Sequence, residues 1–333
     1  QYAVSCLDTL YIGGGSPSCL KPHIFETLCS KLSALVSDNT EWTVEINPAD
    51  SNTDLWRNIN NFPVNRVSVG IETFNDELRA SIHRRGTKAD VLAVLDYCTS
   101  LVNANLSFDL MYGFPEQDRE MVQEDMRLAL QYNPAHISYY ELILEPGTPL
   151  DSRLANRILT SKDIEEKDSC WELIRSTLEA ADYKRYEVSN WARSGLESRH
   201  NMNYWRLGSW LALGPGAVSN IRDQNGFKRW TNTMDLHAYI EDYTKCQMEL
   251  VKEDEALLDY VMMNLRKKIG IERLDFLSIF PAAAPTILEF FQNTFPRYFL
   301  LDNEYLRIND SGLDRLNYII IKFMQYMEKT AHA

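Results

Sequence analysis

Five short runs rich in apolar and β-branched residues, Leu7 to Ile12, Trp42 to Ile46, Arg66 to Ile71, Leu106 to Met111 and His136 to Leu142, recur along the first half of the chain. They alternate with stretches of helical period such as Pro22 to Leu35, Asp76 to Ser81, Lys88 to Ser100 and Arg119 to Gln131. This alternation constrains the fold more than any other feature. A strand that returns to a parallel neighbour needs a crossover of about a dozen residues, and helices of this length supply it. The order therefore predicts an α/β fold with a mostly parallel sheet and right-handed crossovers. Near-continuous apolar runs suggest strands covered on both faces. A barrel or an open sheet follows, with its site at the C-terminal ends of the strands.

Beyond Pro149 the pattern changes. A helical stretch, Ser161 to Asp182, precedes short strand-like pieces at Tyr186 to Asn190, Gly216 to Ile221 and Phe227 to Thr231. A new amphipathic helix starts at Glu253, a hairpin-like segment spans Tyr298 to Ile308, and a last helix begins near Ser311. Three regions are expected: a sheet-and-helix domain over residues 1–150, an extension packed on it over 151–250, and a small winged-helix-like domain over 251–333.

Charge narrows the function classes. Lys and Arg number 34 against 47 Asp and Glu, a net charge of −13, the reverse of the balance expected of a nucleic-acid-binding protein. With 45% hydrophobic and 24% charged residues the chain is globular in composition. Apolar runs such as Trp210 to Leu213 are too short for a membrane helix, and no signal peptide is visible. The six cysteines, at 6, 19, 29, 98, 170 and 246, match no zinc, iron–sulfur or redox spacing, so they predict no metal site. Reduced thiols and a cytoplasmic location are expected.

The residues that could carry chemistry gather at the strand ends. Gly13-Gly14-Gly15-Ser16-Pro17-Ser18 follows the first strand. Three consecutive glycines are costly in backbone entropy, which either a tight turn or a ligand lying against the backbone explains. The run is neither a dinucleotide fingerprint nor a common phosphate loop. Glu45, Asn47, Glu72, Asp109, Tyr112, Glu141 and Glu145 lie on or just after the other strands. Carboxylates converging on one mouth would suit a ligand with a cationic centre and sugar hydroxyls. His200-Asn201-Met202-Asn203-Tyr204-Trp205 stands outside this pattern. A histidine beside two aromatics can ligate haem iron or serve inside a fold, and chemistry alone favours the second.

Eight blocks in order, TLYIGGGSPS, TVEINP, NRVSVGIETFN, FDLMYGFPEQ, HISYYELILEPGTPL, YEVSNWA, SRHNMNYW and LGPGAVSNI, resemble the radical SAM family of oxygen-independent coproporphyrinogen III oxidase-like proteins. The likeness is dense over residues 7–221 and fainter through LLDNEYLRINDSGLDRL, and the HNxxYW and EPGTPL blocks are nearer the haem-chaperone branch. The resemblance implies a partial (β/α)6 barrel whose mouth holds S-adenosylmethionine. Gly14, Gly15 and Ser16 would approach its methionyl part, Glu45 and Asp109 would take polar groups, and Arg84 would pair with its carboxylate. Glu72 stands where the family usually has Gln, and Gly86 where His is common. His200 becomes the candidate haem contact.

Family members carry a strand, then CxxxCxxC holding a [4Fe–4S] cluster, then a helix, all ahead of the glycine strand; no such triplet occurs in this sequence. Either the protein is a cluster-free relative or the cluster segment is missing from this chain, and the second is favoured because a barrel lacking its first strand exposes an edge. The resemblance implies a haem chaperone that delivers haem to an acceptor protein. Two alternatives stand beside it: a coproporphyrinogen oxidase acting on a porphyrinogen, and a non-catalytic interaction module.

Overall fold

A computed structural model describes residues 4–101, 104–143, 146–147, 161–224 and 226–331. Glu145, Pro149 and the expected boundary at 150/151 lie outside the described residues. The chain forms two compact units, Gln1–Arg185 with Ser189–His200, and Tyr186–Val188 with Asn201–Ala333.

In the first unit, β1 (Thr9–Ile12), β2 (Glu41–Ile46), β3 (Arg66–Glu72), β4 (Asn105–Tyr112) and β5 (His136–Glu141) pair in parallel in chain order. The sheet continues through β7 (Asn190–Ala192), antiparallel to β5, and ends at β6 (Lys184–Arg185). The crossovers contain α1 (Pro22–Leu32), α2 (Thr53–Asn61), α3 (Asp76–Ser81), α4 (Lys88–Leu101) and α5 (Arg119–Gln131), and α6 (Ser161–Ala180) follows β5. Side-chain caps help start them: Asn52 accepts from the Leu55 N–H, Asn75 from Glu77 and Leu78, and Asp118 from Met121.

The strands alternate with period two rather than being apolar on both faces. Val44, Ile46, Val67, Val69, Phe108, Leu110, Ile137 and Tyr139 are buried in the core that the helices complete. Register places Glu45 beside Ser68, Gly70 beside Asp109 and Asp109 beside Ser138 on the other face, which is therefore polar. Its floor is bonded internally: Arg66 donates to Ser107 Oγ at 3.3 Å, and Ser107 Oγ lies 2.8 Å from His136 Nδ1. Among the described residues β1 pairs only with β2, and all four of its residues are half-buried.

The expected strand over Tyr186 to Asn190 is broken in the structure. Residues 186–188 belong to the second unit, where Glu187 bridges Lys267, so the first sheet keeps only Lys184–Arg185 and Asn190–Ala192. The second unit also contains an antiparallel sheet of β8 (Val218–Asp223), β9 (Gly226–Asn232) and β10 (Cys246–Leu250), with β9 central, and the short helix α8 (Leu236–Glu241) between β9 and β10. Next come α9 (Glu253–Asn264), β11 (Ile271–Glu272), α10 (Arg273–Ile279), α11 (Ala284–Thr294), β12 (Phe299–Leu301) and β13 (Tyr305–Ile308), with β13 between β11 and β12. Aromatic packing dominates there, including Tyr260 stacked on Phe276 at 5.2 Å. No helix among the described residues is long and apolar enough to cross a membrane.

Candidate functional site

The C-terminal ends of β1 to β3 turn their polar face toward the glycine run. Glu45 is its centre: Oε1 accepts from the Tyr11 hydroxyl at 2.6 Å and Oε2 from the Gly14 N–H at 3.1 Å. Gly13 is needed because a Cβ there would lie 2.6 Å from both Glu45 Cδ and Tyr11 Cε1. Gly14 has φ +92°, and a Cβ at Gly14 or Gly15 would meet nothing within 4 Å. Gly14 and Gly15 are exposed, so backbone and carboxylate together form an open cradle. Ser16 is turned aside, bonding Ser18 at 2.8 Å and Asp50 at 3.2 Å.

Asp109, half-buried on β4, accepts from Ser68 at 2.9 Å. Burial pushes its carboxyl up to about 6 against the pull of the Ser138 and Ser68 hydroxyls. Glu72 sits at a bulge between Gly70 and residue 72, with φ +60° and only 8% of its surface exposed. Burial raises it to about 7, with Arg84 opposing. Arg84 Nε lies 3.1 Å from Glu72 Oε2, an ion pair whose N–H is not directed as a hydrogen bond, while a terminal nitrogen donates to Gly70 O at 2.8 Å. Burial, then the Glu72 and Asp109 carboxylates, raise the Tyr140 phenol, which places Tyr140 in the same mouth.

His200 arrives from α7 (Arg199–Trp205). Its Nδ1 lies 2.9 Å from Thr9 Oγ1 and its ring stacks on Tyr11 at 4.7 Å. The helix start is held by Glu41, whose two oxygens accept the Arg199 and His200 N–H groups at 2.9 Å each. Burial lowers the imidazole pKa, so it is neutral at pH 7.

Gly14, Gly15, Glu45, Glu72, Arg84 and Asp109 therefore belong to one mouth of one sheet, whereas His200 meets the same polar face from nearer the N-terminal ends of the strands, at Thr9, the first residue of β1, and Glu41, the first of β2. Tyr112 and Glu141 lie outside the mouth. Both fall on the opposite parity, Tyr112 stacking on Trp171 at 5.6 Å and Glu141 pairing with Lys167 at 2.9 Å. Asn47 caps a short turn by accepting from the Ala49 N–H. Gly86 has φ +81°, and its Cβ would approach Ala49 Cβ to 3.1 Å, so a histidine there would be strained and crowded.

Sequence reasoning missed Tyr11, Ser68, Tyr140 and Arg79. Period-two counting back from Gly13 and from Glu72 reaches Tyr11 and Ser68 on their own strands, whereas Tyr140 needed the pairing of β5 with β4. Arg79 carried no signal: it is 1% exposed and donates to Ile71 O, Thr73 O, Arg85 O and Gly86 O at 2.6–3.1 Å, locking the bulge to the loop that carries Arg84.

The open glycine cradle and its ring of carboxylates fit a polar cationic ligand. They do not fit an iron–sulfur cluster. Cys29, Cys98 and Cys170 are buried in the hydrophobic core, and no three His, Cys, Asp or Glu residues among those described could hold a metal ion.

The model of the radical SAM superfamily matches residues 2–129. The heme chaperone HemW of Bacillus subtilis (strain 168) is 30% identical over 278 residues, covering 81% of this chain and 72% of that protein. The HemW of Buchnera aphidicola subsp. Schizaphis graminum is 31% identical over 225 residues, covering 66% of this chain but only 58% of that protein. The solved coproporphyrinogen III oxidase HemN of Escherichia coli superposes with a TM-score of 0.76 at 17% identity, covering 96% of this chain and 78% of that one, a likeness of fold. This chain belongs to the HemW family of the radical SAM superfamily, and membership implies S-adenosylmethionine and a [4Fe–4S] cluster as the family's cofactors.

Proposed function

We propose that the protein is a haem chaperone: it binds S-adenosylmethionine in the β1–β5 mouth, binds haem through His200, and passes haem to an acceptor protein. The observation that carries this reading is the seat of His200. It is bonded to Thr9 and stacked on Tyr11, whose hydroxyl bonds Glu45, so the haem residue touches the wall of the ligand mouth. A neutral imidazole is the form that ligates iron, and when Nδ1 carries the proton toward Thr9, the lone pair is on Nε2. In this reading Gly14 and Gly15 flank the methionyl part, with Ser16 held away by Ser18 and Asp50, Glu45 and Asp109 take its ammonium and the ribose hydroxyls, and Arg84 takes its carboxylate. S-adenosylmethionine on a reduced cluster would supply one-electron chemistry; the described residues of this chain offer no such cluster site.

We infer also that the sheet is a partial (β/α)6 barrel missing its first strand, supported by the edge position of β1. The order helix, strand, helix, helix, strand, strand from α9 to β13 supports a winged-helix domain. A cytoplasmic setting is consistent with the free cysteines.

Haem titration followed at the Soret band tests the function. Wild type should give a band that shifts or weakens in His200→Ala, with no vinyl product from coproporphyrinogen. An unchanged spectrum with turnover of coproporphyrinogen would replace the chaperone by the oxidase. Neither binding nor turnover would leave the interaction module.

A further inference from the structure

The arginine assigned to a ligand carboxylate already faces one. Glu72 is buried, held at a bulge in a left-handed conformation that a glutamate rarely adopts, and lies 3.1 Å from Arg84 Nε. Gly70 leaves the guanidinium room to lie over β3, since a Cβ there would collide with an Arg84 terminal nitrogen. Yet Arg84 Nε and Glu72 Oε2 are both buried without a hydrogen-bond partner. Such a pair is incompletely satisfied, and a better-aligned carboxylate would displace it.

We propose that Glu72 is the specificity-determining residue of the mouth: as a carboxylate built into the chain, it competes with a ligand carboxylate for Arg84, so that ligands bearing an amino-acid group bind well only when Glu72 is protonated or displaced. This rests on reading the mouth as the S-adenosylmethionine site. The charged groups facing Glu72 are the Arg84 and Arg79 guanidiniums and the Asp109 and Glu45 carboxylates, with the Tyr140 phenol neutral. Glu72 titrates near pH 7. Asp109 works in the opposite sense, because its protonation at lower pH weakens its hold on an ammonium group. Tighter binding at lower pH therefore points to Glu72.

The test uses calorimetry at pH 6 and pH 8 with two probes, S-adenosylhomocysteine and 5′-methylthioadenosine, which share the adenosine but differ in the amino-acid group. For wild type, the affinity ratio of the first probe to the second should be up to about tenfold larger at pH 6, the change in the protonated fraction of a group titrating near 7. In Glu72→Gln, S-adenosylhomocysteine should bind as tightly at pH 8 as at pH 6. A wild-type ratio independent of pH overturns the proposal, as does a Glu72→Gln variant that binds S-adenosylhomocysteine more weakly at both pH values. The wild-type titrations decide the matter if the variant does not fold. Binding of neither probe overturns the ligand reading itself and the proposal with it.

Discussion

Alanine at Gly13 and at Gly15, two residues apart, should have opposite effects. At Gly13 the new Cβ would sit 2.6 Å from Glu45 Cδ and 2.7 Å from Glu45 Oε2, so the Glu45 side chain must swing away. That breaks the bonds from the Tyr11 hydroxyl and the Gly14 N–H. The first is part-buried and the second exposed, so together they are worth at most about 2 kcal/mol. Against about 2 kcal/mol lost stands about 0.4–1 kcal/mol gained from a less flexible unfolded chain, for a net loss of about 1–2 kcal/mol. In a unit of this size that is a drop in Tm of about 3–7 °C. Gly15 has no atom within 4 Å of its Cβ position and its φ is not positive, so Gly15→Ala should melt at or slightly above wild type. Its methyl group nevertheless enters the ligand space, and calorimetry should show S-adenosylmethionine affinity down about tenfold or more, roughly 1.4 kcal/mol. Circular dichroism melts paired with calorimetry check both. Equal melting of the two variants, or wild-type affinity in Gly15→Ala, would refute the cradle.

Arg79→Lys keeps the charge but not the planar fork, so about two of four carbonyls lose their donor, and urea unfolding should show a loss of about 2–4 kcal/mol; a change below about 0.5 kcal/mol would contradict the clamp. Asp109 titrates near 6 when folded against an ordinary 3.8, so its contribution to stability is present below pH about 4 and is lost as pH rises through about 6. Asp109→Asn should therefore be more stable than wild type at pH 8 by about 1–2 kcal/mol, a figure discounted for partial exposure, with the gap closing toward pH 4. A gap of the same size at both pH values would show that the carboxylate is not the cause.

The strands of the first sheet were legible because β-branched runs such as Val67, Val69 and Ile71 must be buried in the helix-facing core. Cys246–Leu250 was not: its Cys, Met and Leu do alternate with Gln and Glu, but the run is five residues long and every one is exposed, so no buried face marks it. Lys184–Arg185 and Asn190–Ala192 were misplaced because the chain leaves one unit for the other between them, which only tertiary pairing at Glu187 decides. In the mouth, residue types announced the glycines and carboxylates, and eight ordered blocks announced the family. Parity then separated Asp109 from Tyr112 and Glu141, a distinction available by counting but not made. The Glu72–Arg84 pair was beyond reach of sequence: the two residues are twelve positions apart, and a bulge with φ +60° turns one toward the other. His200 was read from its neighbours Tyr204 and Trp205, whereas its ring stacks on Tyr11, 189 positions earlier.

The clasp of Arg199 and His200 onto Glu41 spans 158 residues of sequence. A ribosome adding about 5–20 residues per second needs roughly 8–30 s to travel that distance. Through that interval the nascent chain holds β1 against β2 with nothing laid across Tyr11, and its half-formed sheet is open to mispairing with other chains. The time for which this edge stays uncovered is then set by the rate of synthesis, and slower translation between β5 and α7 would lengthen it.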